Sequence, residues 1–255
     1  MPLEIRLVPL LNDNYAYLLH DPASGEAAVV DPSEAGPVLT ALQEAGWTLK
    51  HILNTHHHPD HTGGNGALKQ ATGAKVAGPE KDRHRIPDLD IGLAEGDTYR
   101  VGNSTLRVLE VPGHTSGHIA LVFDEDGALF SGDTLFSLGC GRLFEGTPAQ
   151  MWHSLGKLRA LPGAMRVYCG HEYTQSNCRF AVTIEPDNES LKHRAAEITE
   201  LRASGQPTIP STIAVENLTN PFLRADIPEL QAAQGWQGRD PVEIFAEIRR
   251  RKDSF

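Results

Sequence analysis

Little in this chain suits it to a disulfide framework, a bilayer span or the grip of a polyanion. It has 3 cysteines, Cys140, Cys169 and Cys178, with no CxxC pair among them. An odd count without that spacing excludes a disulfide scaffold and a cysteine-ligated structural zinc, and leaves reduced, buried thiols as the expectation. No stretch approaches the uninterrupted apolar length of a membrane span. The start, Met1-Pro2-Leu3-Glu4-Ile5-Arg6, lacks the basic-then-apolar layout of a secretory leader. A soluble cytoplasmic protein is expected. Positive charge is scarce as well. The formal net charge of −10 argues against a nucleic-acid backbone as partner, because such proteins carry a basic footprint. One exception is Arg249-Arg250-Arg251-Lys252. It reads either as a helix end that complements the macrodipole or as an anion-binding patch in an acidic protein.

Histidine, by contrast, is plentiful and clustered. Thr55-His56-His57-His58-Pro59-Asp60-His61 places four imidazoles and a carboxylate in a short run directly after the apolar pair Ile52-Leu53. Crowding titratable groups gains nothing in packing. Neutral imidazole nitrogens and a carboxylate oxygen are, however, the usual ligands of zinc and related ions. In an extended segment His56, His58 and Asp60 splay to one side, and His61, starting the next turn, reaches a neighbouring position. One run can therefore feed two adjacent ions. An expression tag would sit at a terminus, whereas this run lies between an apolar stretch and the turn Gly63-Gly64-Asn65-Gly66. His57 faces away from its neighbours and is expected to pack or to support the ligands.

Three further candidates share one context. His114 follows Val111-Pro112-Gly113, Asp133 follows Leu129-Phe130-Ser131-Gly132, and His171 follows Val167-Tyr168-Cys169-Gly170. Each is an apolar strand, a glycine that lets the backbone turn sharply, and then a ligand type on the loop beyond, where sites are normally built. Jointly these positions offer five histidines and two aspartates. That suffices for two ions with three protein ligands each and one shared carboxylate, both with an open position, as catalytic sites have. His118 is intermediate. His20, His51, His84, His153 and His193 have no such context and are expected to be structural or at the surface.

At 255 residues the chain can form one large domain or a domain with an appendage. Alternating or apolar runs at 3–9, 15–19, 27–30, 51–54, 74–77, 105–111, 119–123, 128–130 and 165–169 predict strands. Composition predicts helices at 37–45, 65–72, 149–158, 188–204 and 241–251. Strands interleaved with helices fit an α/β fold of two packed sheets covered by helices, a four-layer αββα sandwich. The texture changes near residue 175, so a catalytic domain over 1–175 and a helical, substrate-binding domain over 176–255 are expected.

On these residues the chain strongly resembles the metallo-β-lactamase superfamily, whose signature is His-x-His-x-Asp-His on a strand-to-helix loop. The likeness to its glyoxalase II (hydroxyacylglutathione hydrolase) branch runs nearly the whole length. It includes Leu11-Asn12-Asp13-Asn14-Tyr15, Asp31-Pro32, Pro112-Gly113-His114-Thr115 and Gly132-Asp133-Thr134-Leu135-Phe136. It continues through Gly139-Cys140-Gly141-Arg142, Gly170-His171-Glu172-Tyr173-Thr174, Pro210-Ser211-Thr212, Asn220-Pro221-Phe222-Leu223-Arg224 and the basic C-terminal run. The histidine signature is shared across many activities; the helical C-terminal segment with its basic end is far more specific.

The resemblance implies that His56, His58 and His114 hold one ion, that Asp60, His61 and His171 hold the other, and that Asp133 bridges. Asp60 and Asp133 are then the catalytic carboxylates. It further implies that Arg142, Phe144, Tyr173, Arg249 and Lys252 face the glutathione part of the substrate. Lys is common in the family at Arg142, and Tyr at Phe144, which cannot donate a hydroxyl hydrogen bond. The implied reaction is hydrolysis of S-2-hydroxyacylglutathione, S-D-lactoylglutathione in particular, to D-lactate and glutathione, the second step of methylglyoxal detoxification. The implied cofactors are two divalent ions, zinc foremost, with iron and manganese sharing its ligand preferences. A monomer acting on a small molecule, with no nucleic-acid or membrane partner, is expected. Rivals are a lactamase, lactonase or nuclease of the same superfamily, a single-iron dioxygenase of the same fold, and a non-catalytic metal-binding module. The helical C-terminus counts against the lactamase and the dioxygenase, the acidic charge against the nuclease, and the full ligand set against a dead relative.

Overall fold

The computed structural model describes residues 2–255; Met1, part of the N-terminal segment read above for a leader, lies outside the described residues. Contacts divide the chain into two compact units. The first runs up to Glu110 and returns for Ser116–Gly132; the second comprises Val111–Thr115 and Asp133–Phe255.

The first unit opens with strands β1 (Glu4–Leu10), β2 (Asn14–His20) and β3 (Glu26–Val30), followed by helix α1 (Ala35–Ala45), β4 (Thr48–Leu53), the single turn α2 (Pro59–Thr62), α3 (Asn65–Thr72), β5 (Lys75–Pro79) and β6 (Ile91–Leu93). The six strands form one sheet in sequence order. β1, β2 and β3 pair antiparallel, then β3, β4, β5 and β6 pair parallel. Parallel neighbours need crossovers, and α1 and α3 supply two of them.

One face of this sheet carries Ala16, Leu18, Ala27, Val29, Leu49, Ile52 and Val76, which pack with Val38 and Leu42 of α1 and Leu68 of α3. Most of these follow the two-residue period of a strand. Leu49 and Ile52 break it, because the register shifts where Ala27 faces Leu49 and Ala28 faces His51. The extra residue turns both apolar side chains to the core. It also explains why β4 begins at Thr48 rather than at residue 51, where alternation alone starts the strand.

The unit continues with β7 (Thr98–Val101), β8 (Ser104–Glu110), β9 (Ile119–Phe123) and β10 (Ala128–Gly132), an antiparallel meander. β9 and β10 are buried along their whole length, which accounts for their continuous apolar runs.

The second unit holds the short ladder of β11 (Leu135–Phe136) with β12 (Gly139–Cys140), then α4 (Pro148–Arg159), β13 (Arg166–Cys169), α5 (Thr174–Ile184), α6 (Glu189–Ala203), β14 (Ser211–Thr212), α7 (Ile213–Thr219), α8 (Pro228–Gln234) and α9 (Pro241–Asp253). β13 pairs antiparallel with β14. Thr147 and Gln150 close a reciprocal capping box on α4. Asn188, Thr212 and Asp240 cap α6, α7 and α9 through their side chains. Leu138, Cys178, Ala181, Leu191 and Ile198 form a core cluster between the β11–β12 turn and helices α5 and α6. α5, α7 and α8 are too short or too polar to stand out by periodicity alone. No helix of the described residues is long and apolar enough to cross a membrane.

Candidate metal centre

β4 lies between two parallel neighbours, and its C-terminal end is where an open parallel sheet places a ligand site. The ladder continues past the strand ends, with Asp31 N–H donating to Leu53 O at 2.9 Å and Asn54 N–H to Ala77 O at 2.8 Å. These bonds aim the next residues, Thr55 and the histidine run, off the sheet edge. His58 is still extended, and Pro59 at the first helical position starts α2. Asp60 and His61 therefore sit on a helical turn, while His56 lies in the bend that follows β4 and His58 is extended just before the turn.

The result in the first unit is a compact donor set. His56 is fully buried and His61 almost so, with ring centroids 4.2 Å apart. His56 Nε2 lies 3.1 Å from His58 Nδ1. Two nitrogens each about 2.0–2.1 Å from one tetrahedral ion would be about 3.3–3.4 Å apart, so this pair fits a shared ion. Asp60 Oδ2 lies 3.7 Å from His61 Nε2. Asn14 holds Asp60 by donating to its Oδ2 at 3.1 Å and its carbonyl at 3.0 Å, and Ser33 Oγ donates to that carbonyl as well. Asp31, His56 and His61 also offer ligand atoms within 4.8 Å of one another. Asp31 is already occupied, however, accepting from Thr55 N at 2.8 Å, Thr55 Oγ1 at 2.6 Å and His61 Nδ1 at 3.1 Å.

His57 meets partners that His56 and His58 do not. Its Nδ1 meets Asp82 Oδ2 at 3.2 Å, and Arg85 joins both, 2.6 Å from Asp82 Oδ1 and 3.3 Å from His57 Nε2. His118 stacks on His56 at 4.6 Å. Among the histidines without a ligand context, His20 stacks on Trp47 and His51 bonds Tyr99 and Glu26.

The second unit carries the three strand–glycine–ligand positions, all buried. Asp133 Oδ2 lies 3.5 Å from His114 Nε2 and 3.2 Å from His171 Nε2, so one carboxylate oxygen stands near both imidazoles. His114 Nδ1 lies 2.9 Å from the Arg142 carbonyl. A carbonyl only accepts, so Nδ1 carries the proton and Nε2 is left bare, and the bond to the carbonyl fixes the orientation of the ring. Gly141 makes this possible, since a Cβ there would sit 2.0 Å from Asp133 O and 3.0 Å from His114 Nδ1. His171 stacks on Tyr173 at 4.6 Å and meets the edge of Phe136. The donors in both units, nitrogen and carboxylate oxygen alone, suit zinc, iron or manganese.

The residues expected to face glutathione are all in the second unit, in different settings. Arg142 and Phe144 are exposed, Phe144 packing on His114 at 5.2 Å, and Tyr173 is 37 % exposed. Lys252 is half-buried near Ser176 Oγ, 3.2 Å away. Burial, aided by Arg249, Arg179 and Arg142, holds its ammonium below the usual lysine value. Arg249 is only 6 % exposed and donates to Cys140 O at 2.8 Å and to Asp253 at 2.8 and 3.1 Å. The three cysteines are free and buried. Burial pushes the Cys140 thiol up to about 11 and Cys169 up to about 12. Neither is a thiolate at neutral pH, so neither is a ready nucleophile.

Sequence reasoning reached Asp31 only as part of a family motif and did not single out Thr55, Asp82 or Asn14 as supports. The available signal was a polar residue closing a buried apolar strand, as in Val29-Val30-Asp31-Pro32.

The strand arrangement and these donors define the class, a metal-binding hydrolase fold of the metallo-β-lactamase superfamily, whose family model matches residues 11–171. The model for the hydroxyacylglutathione hydrolase C-terminus matches residues 172–255. A Methylococcus capsulatus protein named hydroxyacylglutathione hydrolase is 58% identical over 253 residues, 99% of either chain. The chain belongs to the hydroxyacylglutathione hydrolase family. Among solved structures, the BLEG-1 B3 metallo-β-lactamase superposes with TM-score 0.68 at 25% identity, covering 86% of this chain and 99% of that one. TTHA1623 in a di-iron-bound form superposes with TM-score 0.60 at 26% identity, covering 86% and 100%. The metallo-β-lactamase fold with a helical C-terminal segment is the fold class expected from the sequence.

Proposed function

We propose that this chain hydrolyses S-2-hydroxyacylglutathione thioesters, S-D-lactoylglutathione foremost, to the 2-hydroxy acid and glutathione, the second step of methylglyoxal detoxification. One observation carries the reading: a metallo-β-lactamase ligand set joined to an 84-residue segment, 172–255, that matches the hydroxyacylglutathione hydrolase C-terminus. We assign His56, His58 and His114 to one ion and Asp60, His61 and His171 to a second, with Asp133 shared. The position of Asp133 Oδ2 near both His114 and His171 supports that sharing, and the di-iron form of a structural relative is a precedent for two ions in this fold. Zinc is the first choice of metal. When bound, the ions would supply Lewis-acid polarisation of a carbonyl and a water whose pKa falls towards about 7.

The chain's own residues do the rest. Asn14 and Ser33 hold Asp60 in place. The Arg142 carbonyl fixes the proton of His114. Residues 1–175 form the catalytic part and 176–255 the substrate-binding part. Arg142 and Tyr173 of the former and Arg249 and Lys252 of the latter supply charge and donors to the two carboxylates of glutathione, and Phe144 of the former supplies an apolar surface. Hydrolysis breaks the C–S bond, and the thiolate is a good leaving group, so no Ser or Cys nucleophile is needed. The protein acts as a cytoplasmic monomer on a small-molecule substrate.

The test is hydrolysis of S-D-lactoylglutathione by metal-loaded protein, with chelated protein as control. Rapid, metal-dependent release of glutathione is expected. No turnover by protein that holds both ions removes the substrate assignment and moves the lactonase and dioxygenase readings forward.

A further inference from the structure

A histidine ligand must present a bare nitrogen, and hydrogen bonding decides which of its two nitrogens is bare. In the first unit one carboxylate makes that decision twice. Asp31 is 3 % exposed. Its Oδ1 accepts from Thr55 N at 2.8 Å, and its Oδ2 lies 2.6 Å from Thr55 Oγ1 and 3.1 Å from His61 Nδ1. A carboxylate has no hydrogen to give, so the single hydroxyl hydrogen of Thr55 goes to Asp31. The Thr55 oxygen then has only lone pairs to offer His56 Nδ1, 3.1 Å away. His56 Nδ1 must therefore carry the proton and donate it to Thr55. The same rule puts the His61 proton on Nδ1, donating to Asp31. Both rings end with a bare Nε2. Those are the nitrogens that face His58 Nδ1 and Asp60 Oδ2 respectively. Gly132 leaves room for that hydroxyl, since a Cβ there would lie 2.3 Å from Thr55 Oγ1.

We propose that Asp31 is a shared positioning residue, acting on His61 directly and on His56 through the Thr55 hydroxyl, so that one carboxylate readies a ligand of each ion. The inference rests on the two-ion reading above. It makes an asymmetric prediction. Loss of the Thr55 hydroxyl disturbs His56 alone, whereas loss of the Asp31 carboxylate disturbs both rings.

The experiment titrates metal-free wild type, Thr55→Val, Thr55→Ser and Asp31→Asn with zinc against a chromophoric chelator, and counts bound ions by elemental analysis. Asparagine tolerates the left-handed backbone at this position, where φ is 50°, and the thermal melt of each metal-free protein reports its fold. Thr55→Val is expected to weaken one ion by about 10–100-fold, the usual effect of removing a ligand's hydrogen-bond partner, and to leave the other unchanged. Thr55→Ser restores the weakened ion, a recovery that a purely steric role of Thr55 would not produce. Asp31→Asn weakens both ions. Unchanged zinc affinity in Thr55→Val, or a loss at only one ion in Asp31→Asn, overturns the inference while leaving the two-ion reading intact. Wild-type protein that takes up fewer than two ions overturns both. Should Asp31→Asn fail to fold, the Thr55 pair decides alone: loss in Val with recovery in Ser upholds the relay, and equal affinities refute it.

Discussion

Arg249 was expected to hold substrate, and its surroundings in the second unit give it a structural load as well. Arg249→Ala removes a charged hydrogen bond to a buried carbonyl, Cys140 O. A bond of that kind contributes about 1.5–3 kcal/mol, and the stranded acceptor is left desolvated. The variant also removes a guanidinium 5.0 Å above the Phe222 ring, worth about 0.5–2 kcal/mol, and the ion pair with Asp253. Asp253 is 43% exposed, so solvent screening leaves that pair about 0–1 kcal/mol. One guanidinium makes all these contacts, so their overlap brings the expected loss to about 2–4 kcal/mol. For a chain of this size that corresponds to a melting temperature lower by about 4–16 °C.

Thermal and urea unfolding followed by circular dichroism would measure the loss, in metal-free and metal-loaded protein alike. Lys252→Ala is the contrast. Among the described residues the polar partner of its ammonium is Ser176, with the Phe180 and Phe255 rings 5.6 and 5.3 Å away, so its removal should raise KM for the thioester with a smaller fall in stability. An Arg249→Ala protein that melts within about 1 °C of wild type, a shift well under 1 kcal/mol, would refute the structural role and leave Arg249 as a substrate group alone.

Asp133→Ala should lose metal and abolish turnover, because the one oxygen near both His114 and His171 disappears; full activity with both ions retained would refute the ligand assignment. Native protein should resist iodoacetamide at pH 7 and keep its activity, since burial holds Cys140 near 11 and Cys169 near 12; mass spectrometry showing either residue rapidly alkylated in folded protein contradicts this. Glu216 is fully buried, accepting from Ser211 Oγ, Leu138 N and Asn220 Nδ2, and burial raises its pKa above 4.5. A raised folded-state value means the folded chain binds the extra proton, so this group's contribution is full below pH 4.5 and is lost as pH rises through the folded value. Glu216→Gln should flatten the stability curve over that interval, and an unchanged slope in urea unfolding across it would show that Glu216 is not the group responsible.

Much of the metal centre is legible because its logic is local. His56, His58, Asp60 and His61 are neighbours in the chain, and a bend after β4 followed by Pro59 at the first helical position sets how they fan out. Strand, glycine, ligand at 114, 133 and 171 is likewise a property of a few consecutive residues. Helix α3 matches its expected span, residues 65–72, and α6 and α9 match theirs within two residues at each end, because capping and periodicity are short-range signals. The start of β4 was displaced because a register shift breaks alternation, and that shift exists only through pairing with β3.

By itself, then, the sequence determined the types and order of the candidate ligands, the family and the succession of strands followed by helices. Tertiary structure alone decided which partner each candidate ligand meets and which charge is buried. Asp31 reaches Thr55 across 24 positions of chain, His57 meets Asp82 across 25, and Arg249 meets Cys140 across 109. Covalent spacing says nothing about such pairs. They form because a buried donor or acceptor left alone costs about 1–3 kcal/mol, and only the folded chain determines which group is near enough to satisfy it.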